Sequence, residues 1–375
     1  MHLVDVDDLK SLKPRVSVIW GSSSAECRLE APLFVIGTRS QEFIEHHKRK
    51  SHGMIPAPAI YAVDNAEVHG LGAVCWDNLV LGGDGWPGLP SLTAPARRFF
   101  RESASHYFQN IARSRIRRQI QGVALLLAHP GDNIYGHWLI DIFPLVWLAL
   151  VRAGLRVKYI LRTGTPEYAI AWLRAAEISS ADIILYNPKA EILEVERLLV
   201  APGLRRGDYV HAALKEYRDW FEAVAGLKPS EPRGGDRTIY ISRKEWTSPH
   251  RQLVNRETIE GQFLKRGFEM YQPEKEPLQR QIATFRQSRL IVGESGSALH
   301  NNIFSSSETV VGVLASASRW SLIQSSLCAI FDQRIAYTMG EPFLRPNSGF
   351  GALAPYVIAP EVIDQFLDRL NIAVP

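Results

Sequence analysis

What most constrains this chain is an alternation of short apolar strands with single helices, which runs to a hydrophilic break and then restarts. Before the break the pattern predicts a helix over 136–153, a strand over 157–163, a helix near 166–177, strands over 182–187 and 196–204, and a helix over 211–225. The break itself, LKPSEPRGGDR at 227–237, is the clearest linker in the sequence. Beyond it the pattern predicts strands over 237–243, just after Gly267, over 289–296 and over 308–314. Helices fall between them at 257–266, 277–288, 297–306 and 318–328, and a last helix at 360–370. Strands separated by single helices form parallel sheets, so two such runs predict two doubly wound α/β domains. At about 100–200 residues per domain, a chain of 375 residues has room for both. The expected division is 1–226, 227–355, and a C-terminal helix in 356–375 free to pack back on the first domain. Residues 1–90 read as short strands and turns, 96–120 as a basic helix, and QGVALLLAHP at 121–130 as a buried strand.

Composition narrows the function. A net charge of +4 is too mild to imply nucleic acid, and no nucleic-acid or P-loop motif supports such a partner. Cys27, Cys75 and Cys328 are widely spaced and odd in number, which argues against a disulfide framework or a zinc site and favours a reducing compartment. MHLVDVDDLK has no apolar core of a secretory signal. The most apolar run, Trp138–Val151, is shorter than the roughly 20 residues a spanning helix needs and contains Asp141 and Pro144. These features predict a cytoplasmic protein, at most peripheral to a membrane.

Three segments carry chemistry. In RLIVGESGSALHNNIF (289–304) a strand runs through Gly293, Glu294, Ser295, Gly296 and Ser297 into a helix containing Asn301. Ligands of open α/β sheets bind at strand carboxyl ends, and a helix N-terminus suits a phosphate. A plain glycine turn with serine caps reads equally well. In YISRKEWTSPHRQLVNRETIE (240–260) Arg243 stands at a strand end, where a guanidinium can fork onto a diphosphate; Lys244 and Arg256 read better as a solvated loop. In NIYGHWLIDIFPLVWLAL (133–150) His137 and Asp141 are four apart and share a helix face. A carboxylate beside an imidazole can take a proton from a hydroxyl, while a core histidine with a dipole-favoured carboxylate is the structural alternative.

Two further features are weaker. Seven arginines crowd 97–118, among them Arg113 and Arg117; they read as a solvated face or as a site for an anionic acceptor or membrane surface. Asp5-x-Asp7 spells a metal–diphosphate motif but precedes any expected sheet, so it reads as chance.

Taken in order, the three segments resemble glycosyltransferase family 61, which includes bacterial capsular polysaccharide biosynthesis proteins. The resemblance rests on Gly136, His137, Leu139, Asp141 and Pro144. It continues through Ile241, Ser242, Arg243, Arg251, Asn255 and Glu257, then Gly267, Phe268, Gln281, Phe285, Ile291, Val292, Gly293, Gly296, Leu299, Asn301 and Phe304. It covers roughly 60–315. Many members have a histidine where this chain has Ser295, and an acidic residue after the strand that here reads VVGVLAS (310–316). The resemblance implies a GT-B arrangement: two Rossmann-like domains facing across a cleft, the donor nucleotide held by the C-terminal one, inversion at the anomeric carbon, and no required metal or cofactor. On this reading Asp141 is the base with His137 orienting or replacing it. Arg243, Glu294, Ser295, Gly296, Ser297 and Asn301 hold a nucleotide-sugar donor, and the acceptor is a glycan or lipid-linked glycan. A sugar-nucleotide epimerase on the same fold, or a non-catalytic nucleotide-sugar-binding subunit, are the alternatives.

Overall fold

The computed structural model describes residues 2–5, 9, 15–77, 79–82, 116–228, 233–245, 252–343 and 354–373. The chain divides into two compact units, residues 1–25 with 55–207 and residues 26–54 with 208–375.

The first unit is built on one mixed sheet. Its strands are β1 (His2–Asp5), β2 (Val16–Gly21), and, after the chain leaves for residues 26–54 and returns, β6 (Ala59–His69), β7 (Ala73–Trp76), β8 (Leu79–Gly82), β9 (Ile116–Leu126), β10 (Lys158–Arg162), β11 (Ile183–Tyr186) and β12 (Glu191–Val200). The spatial order is β1-β8-β7-β6-β12-β9-β10-β11, with β2 also on β6. Only one half is wound as expected: β12, β9, β10 and β11 run parallel. The helix over residues 135–152 (α2) and the helix Glu167–Ala175 (α3) connect β9 to β10 and β10 to β11. From β12 outward, β6, β7, β8 and β2 pair antiparallel, so this unit is not a doubly wound sheet throughout.

α2 is apolar all round, and Trp138, Leu139, Phe143, Val146 and Trp147 are sealed in the core, as a helix covered on every side requires. It is no membrane span; among the described residues no helix is long and apolar enough to cross a bilayer. Two stretches, Trp138–Ile142 and Leu148–Arg152, are wound wider as π-helix. The first directly precedes Phe143 and Pro144, whose nitrogen cannot donate back to the Ile140 carbonyl.

The second unit contains β3 (Ala25–Arg28), β4 (Pro32–Gly37), helix α1 (Ser40–Arg49) and β5 (His52–Ile55), then, beyond the short strand β13 (Arg205–Arg206) that ends the first unit, β14 (Tyr209–Val210) and helix α4 (Leu214–Val224). It continues through β15 (Arg237–Ile241), α5 (Arg256–Lys265), β16 (Glu269–Tyr271), α6 (Leu278–Arg286), β17 (Ser288–Glu294), β18 (Val310–Ser316), α7 (Ile323–Ile330), β19 (Arg334–Pro342), β20 (Tyr356–Val357) and α8 (Pro360–Ala373). The sheet order is β16-β15-β17-β18-β19, with β4 parallel to β19 and β20 antiparallel to it. The chain steps from β15 outward to β16, returns to the other side at β17, and then proceeds through β18 and β19. Strand order therefore reverses between β15 and β17, which makes that junction the topological switch point.

Three expectations change here. The expected boundary at 226/227 falls at 207/208, and residues 26–54 belong with the second unit because β4 extends the β19 edge of its sheet. α8 packs within the second unit, where Phe366, Leu367 and Leu370 join Tyr240, Ile259 and Phe263 in one core. The basic helix expected to reach 120 is, from Ile116 on, strand β9, because Arg117 and Arg118 lie in register with β12, opposite Ile192 and Leu193. Asp5, for its part, ends a strand that pairs with β8, whereas Asp7 lies outside the described residues.

Candidate active-site residues

The two groups of candidate residues each gather at the carboxyl edge of a parallel sheet.

In the second unit, β15 and β17 are neighbours, with Ile241 opposite Gly293. Arg243 and the turn 294–297 thus leave adjacent strands at the switch point. The Arg243 guanidinium lies against Gly296: a Cβ built there would sit 3.6 Å from Arg243 Nη1. The Ser295 N–H donates to the Leu314 carbonyl at 2.7 Å, so the turn is tied to β18. Ser297 opens a 3₁₀ helix, Ser297–Phe304, with Gly296 at its cap and no side-chain cap bond; the serine-capped α-helix expected here is not formed. Asn301 is fully buried, and its amide donates to the Ala298 carbonyl at 3.1 Å, so it braces the turn from within. Glu294 is buried and accepts from Arg256 Nε at 2.8 Å. Arg256, expected in a solvated loop, is therefore a buried partner of the strand end. Ser242 is also committed to the framework, donating to Glu260 Oε1 at 2.6 Å.

In the first unit, β9, β10 and β12 run parallel and end at one edge. His129 and Asp132 follow β9, Arg162 ends β10, and Arg205 follows β12. There His137 Nδ1 and Asp141 Oδ2 are 2.6 Å apart. Arg205 forks onto the same carboxylate, donating Nε to Oδ1 at 2.7 Å and Nη2 to Oδ2 at 2.8 Å, while its Nη1 donates to the Gly207 carbonyl at 2.8 Å. Burial alone would lift the Asp141 carboxyl, but the Arg205 charge and the His137 hydrogen bond more than offset it and hold it well below the usual carboxylate range. His129 lies 5.1 Å from His137, ring to ring. Burial pushes its imidazole down to about 4, against the pull of Asp141 and with His137, Arg205 and Arg162 adding to the fall. Its Nδ1 accepts the Gly131 N–H at 2.8 Å. Gly131 is needed for space, because a Cβ there would meet His137 Cδ2 at 2.4 Å. Arg162 braces the loop, donating Nε to Asp132 Oδ2 at 2.5 Å.

Arg117 does not stand ready for an anionic acceptor. Its guanidinium is engaged by Glu67, at 2.6 Å, and by Glu194. Arg113 lies outside the described residues. Arg205, His129 and Arg256 escape sequence reasoning. The only signal for Arg205 is an arginine just past a Pro-Gly turn at the end of a predicted strand. Among the described residues, no group of three or more His, Cys, Asp or Glu side chains is placed to hold a metal ion.

The second unit is a doubly wound α/β unit of the kind that takes ligands at its switch point, with an arginine and a glycine–serine turn assembled there. Residues 135–312 match the family model described as Glycosyltransferase 61, and no curated protein matches the chain. The match begins at α2, takes in His137, Asp141, Arg205, Arg243 and the 293–297 turn, and ends in β18. Over those residues the chain is similar to the glycosyltransferase 61 family, whose members transfer a glycosyl group from a nucleotide sugar to a glycan acceptor.

Proposed function

We propose that the protein is an inverting, metal-independent transferase of GT-B type that moves a sugar from a nucleotide sugar to a hydroxyl of a surface glycan, as in capsule or lipopolysaccharide assembly. The observation that carries this reading is the junction of β15 and β17, where Arg243 lies against Gly296 beside the start of a helical turn. A guanidinium and backbone N–H groups at a strand edge suit a leaving diphosphate. In the transfer, the acceptor oxygen forms a bond to the anomeric carbon as the bond to the diphosphate breaks, the electron pair leaving with the phosphate. The acceptor proton goes to a base.

For that base we favour His137 over Asp141. Both Asp141 oxygens are engaged and its carboxyl is held strongly acidic, so it is a poor proton acceptor. It is well suited to orient the imidazole and to stabilise the imidazolium that forms. Lipid-linked glycan acceptors would bring the enzyme to the inner face of a membrane.

The test is incubation of the full chain with a panel of nucleotide sugars and glycan acceptors in excess chelator. The expected result is acceptor-dependent release of nucleoside diphosphate, with the anomeric configuration inverted. Retention of configuration, loss of activity with chelator, or conversion of the donor without an acceptor would overturn the reading.

A further inference from the structure

We infer that Arg205 is the positioning residue of the proton-accepting pair, fixing Asp141 as an oriented acceptor so that His137 presents its Nε2 to the substrate hydroxyl. The inference rests on the transferase reading for its chemistry and on four contacts for its geometry. Asp141 lies in the π-wound turn directly after His137, and its Oδ2 is 2.6 Å from His137 Nδ1. Arg205 reaches both carboxylate oxygens from a different element, β13, and is itself anchored by the Gly207 carbonyl. The carboxylate is therefore gripped from two sides and cannot rotate away.

The consequence for His137 is a fixed tautomer. A carboxylate can only accept, so Nδ1 must carry the proton, and the lone pair is left on Nε2. When Nε2 takes the acceptor proton, the imidazolium that forms faces an anion which Arg205 keeps in place. The charged and titratable groups around this pair are Arg205 on β13, His129 beyond His137, and the Arg162–Asp132 pair on the loop after β9. None of these supplies Asp141 with a second fork.

The test uses Arg205→Lys, which keeps the positive charge but cannot fork onto a carboxylate, alongside Asp141→Asn and the double variant. In the wild-type chain without substrate, nitrogen-15 NMR of the histidines, with His137→Gln to assign the signal, should report the Nδ1–H tautomer. Arg205→Lys should convert that signal to a mixture of tautomers with the melting temperature nearly unchanged. It should lower kcat by about 10²-fold, the scale of a mispositioned catalytic group, with the KM for donor held. The double variant should lose no more than Asp141→Asn alone. A fixed Nδ1–H tautomer in Arg205→Lys, a wild-type Nε2–H tautomer, or losses that multiply in the double variant would each overturn the inference. The tautomer is read without turnover, so absence of transferase activity would count against the proposed function alone.

Discussion

Ile241 stands opposite Gly293 in the parallel register of β15 and β17, so close that a Cβ on the glycine would lie 3.1 Å from the isoleucine Cβ. That approach brings the residues after both strands together, and it is why Arg243 and Gly296 touch. If Arg243 holds the diphosphate, Arg243→Ala should weaken nucleotide binding by roughly 10–100-fold, the worth of one or two charge-assisted hydrogen bonds. Arg243 is half-buried beyond the end of β15, so the fold should survive. Calorimetric titration with nucleoside diphosphates checks this; unchanged affinity in a folded variant removes Arg243 from the site.

His137→Gln separates catalysis from stability better than any change at Asp141. It removes the proton acceptor and leaves the Arg205–Asp141 pair intact. Turnover should fall by about 10²–10⁴-fold, the usual contribution of a general base, with donor affinity held. Asp141→Asn should cost turnover comparably but also lower the melting temperature, because Arg205 then loses its charged partner. Near-normal turnover in a folded His137→Gln protein would mean that the base lies elsewhere.

Sequence patterning reaches the elements whose partners are local. The βαβ repeats from β9 to β11 and from β15 to β19 follow from apolar strands separated by single helical segments, within a few residues at their ends. It fails where pairing is long-range. β4 joins β19 across about three hundred residues, and nothing in PLFVIG names that neighbour. α1, SQEFIEHHKR in its sequence, buries only Phe43 and His47, too little apolar periodicity to stand out. For the site, His137 and Asp141 are legible because one helix turn joins them. Arg205, 64 residues further on, is not. Arg256 is not legible either, because a basic residue in a charged loop gives no sign of being buried against Glu294.

Glu222 and Arg286 clamp α4 to α6 in the second unit. Arg286 donates Nε to Oε1 at 3.0 Å and Nη2 to Oε2 at 2.7 Å, and Arg233 adds a bond to Oε2 at 2.5 Å. Both Glu222 and Arg286 are buried. Glu222→Gln should therefore leave an uncompensated buried guanidinium and cost about 3–5 kcal/mol of stability. Urea unfolding should show a lower midpoint at unchanged slope. A loss under about 1 kcal/mol would mean that solvent reaches the arginines once the carboxylate is gone.

Acid should weaken the first unit in two stages with separate causes. His129 is held down to about 4 by burial, below its ordinary value near 6.5. Between those values the unfolded chain binds a proton there that the folded chain does not, so stability falls as pH drops from about 6.5 to about 4. Glu67 is held down to about 2, first by its hydrogen bond with His69 and then by Arg117, against an ordinary value near 4.5. Its contribution is complete above about 4.5 and is lost as pH falls toward about 2. The melting temperature should thus decline gently from pH 7 to 4 and more steeply below. His129→Gln should flatten the upper stage and leave the lower one, whereas Glu67→Gln should leave the upper stage and only soften the lower one, to which the depressed Asp141 carboxyl also contributes. If the wild-type melting temperature is level from pH 7 to 4, or if His129→Gln leaves that slope unaltered, His129 is not the buried neutral imidazole described here.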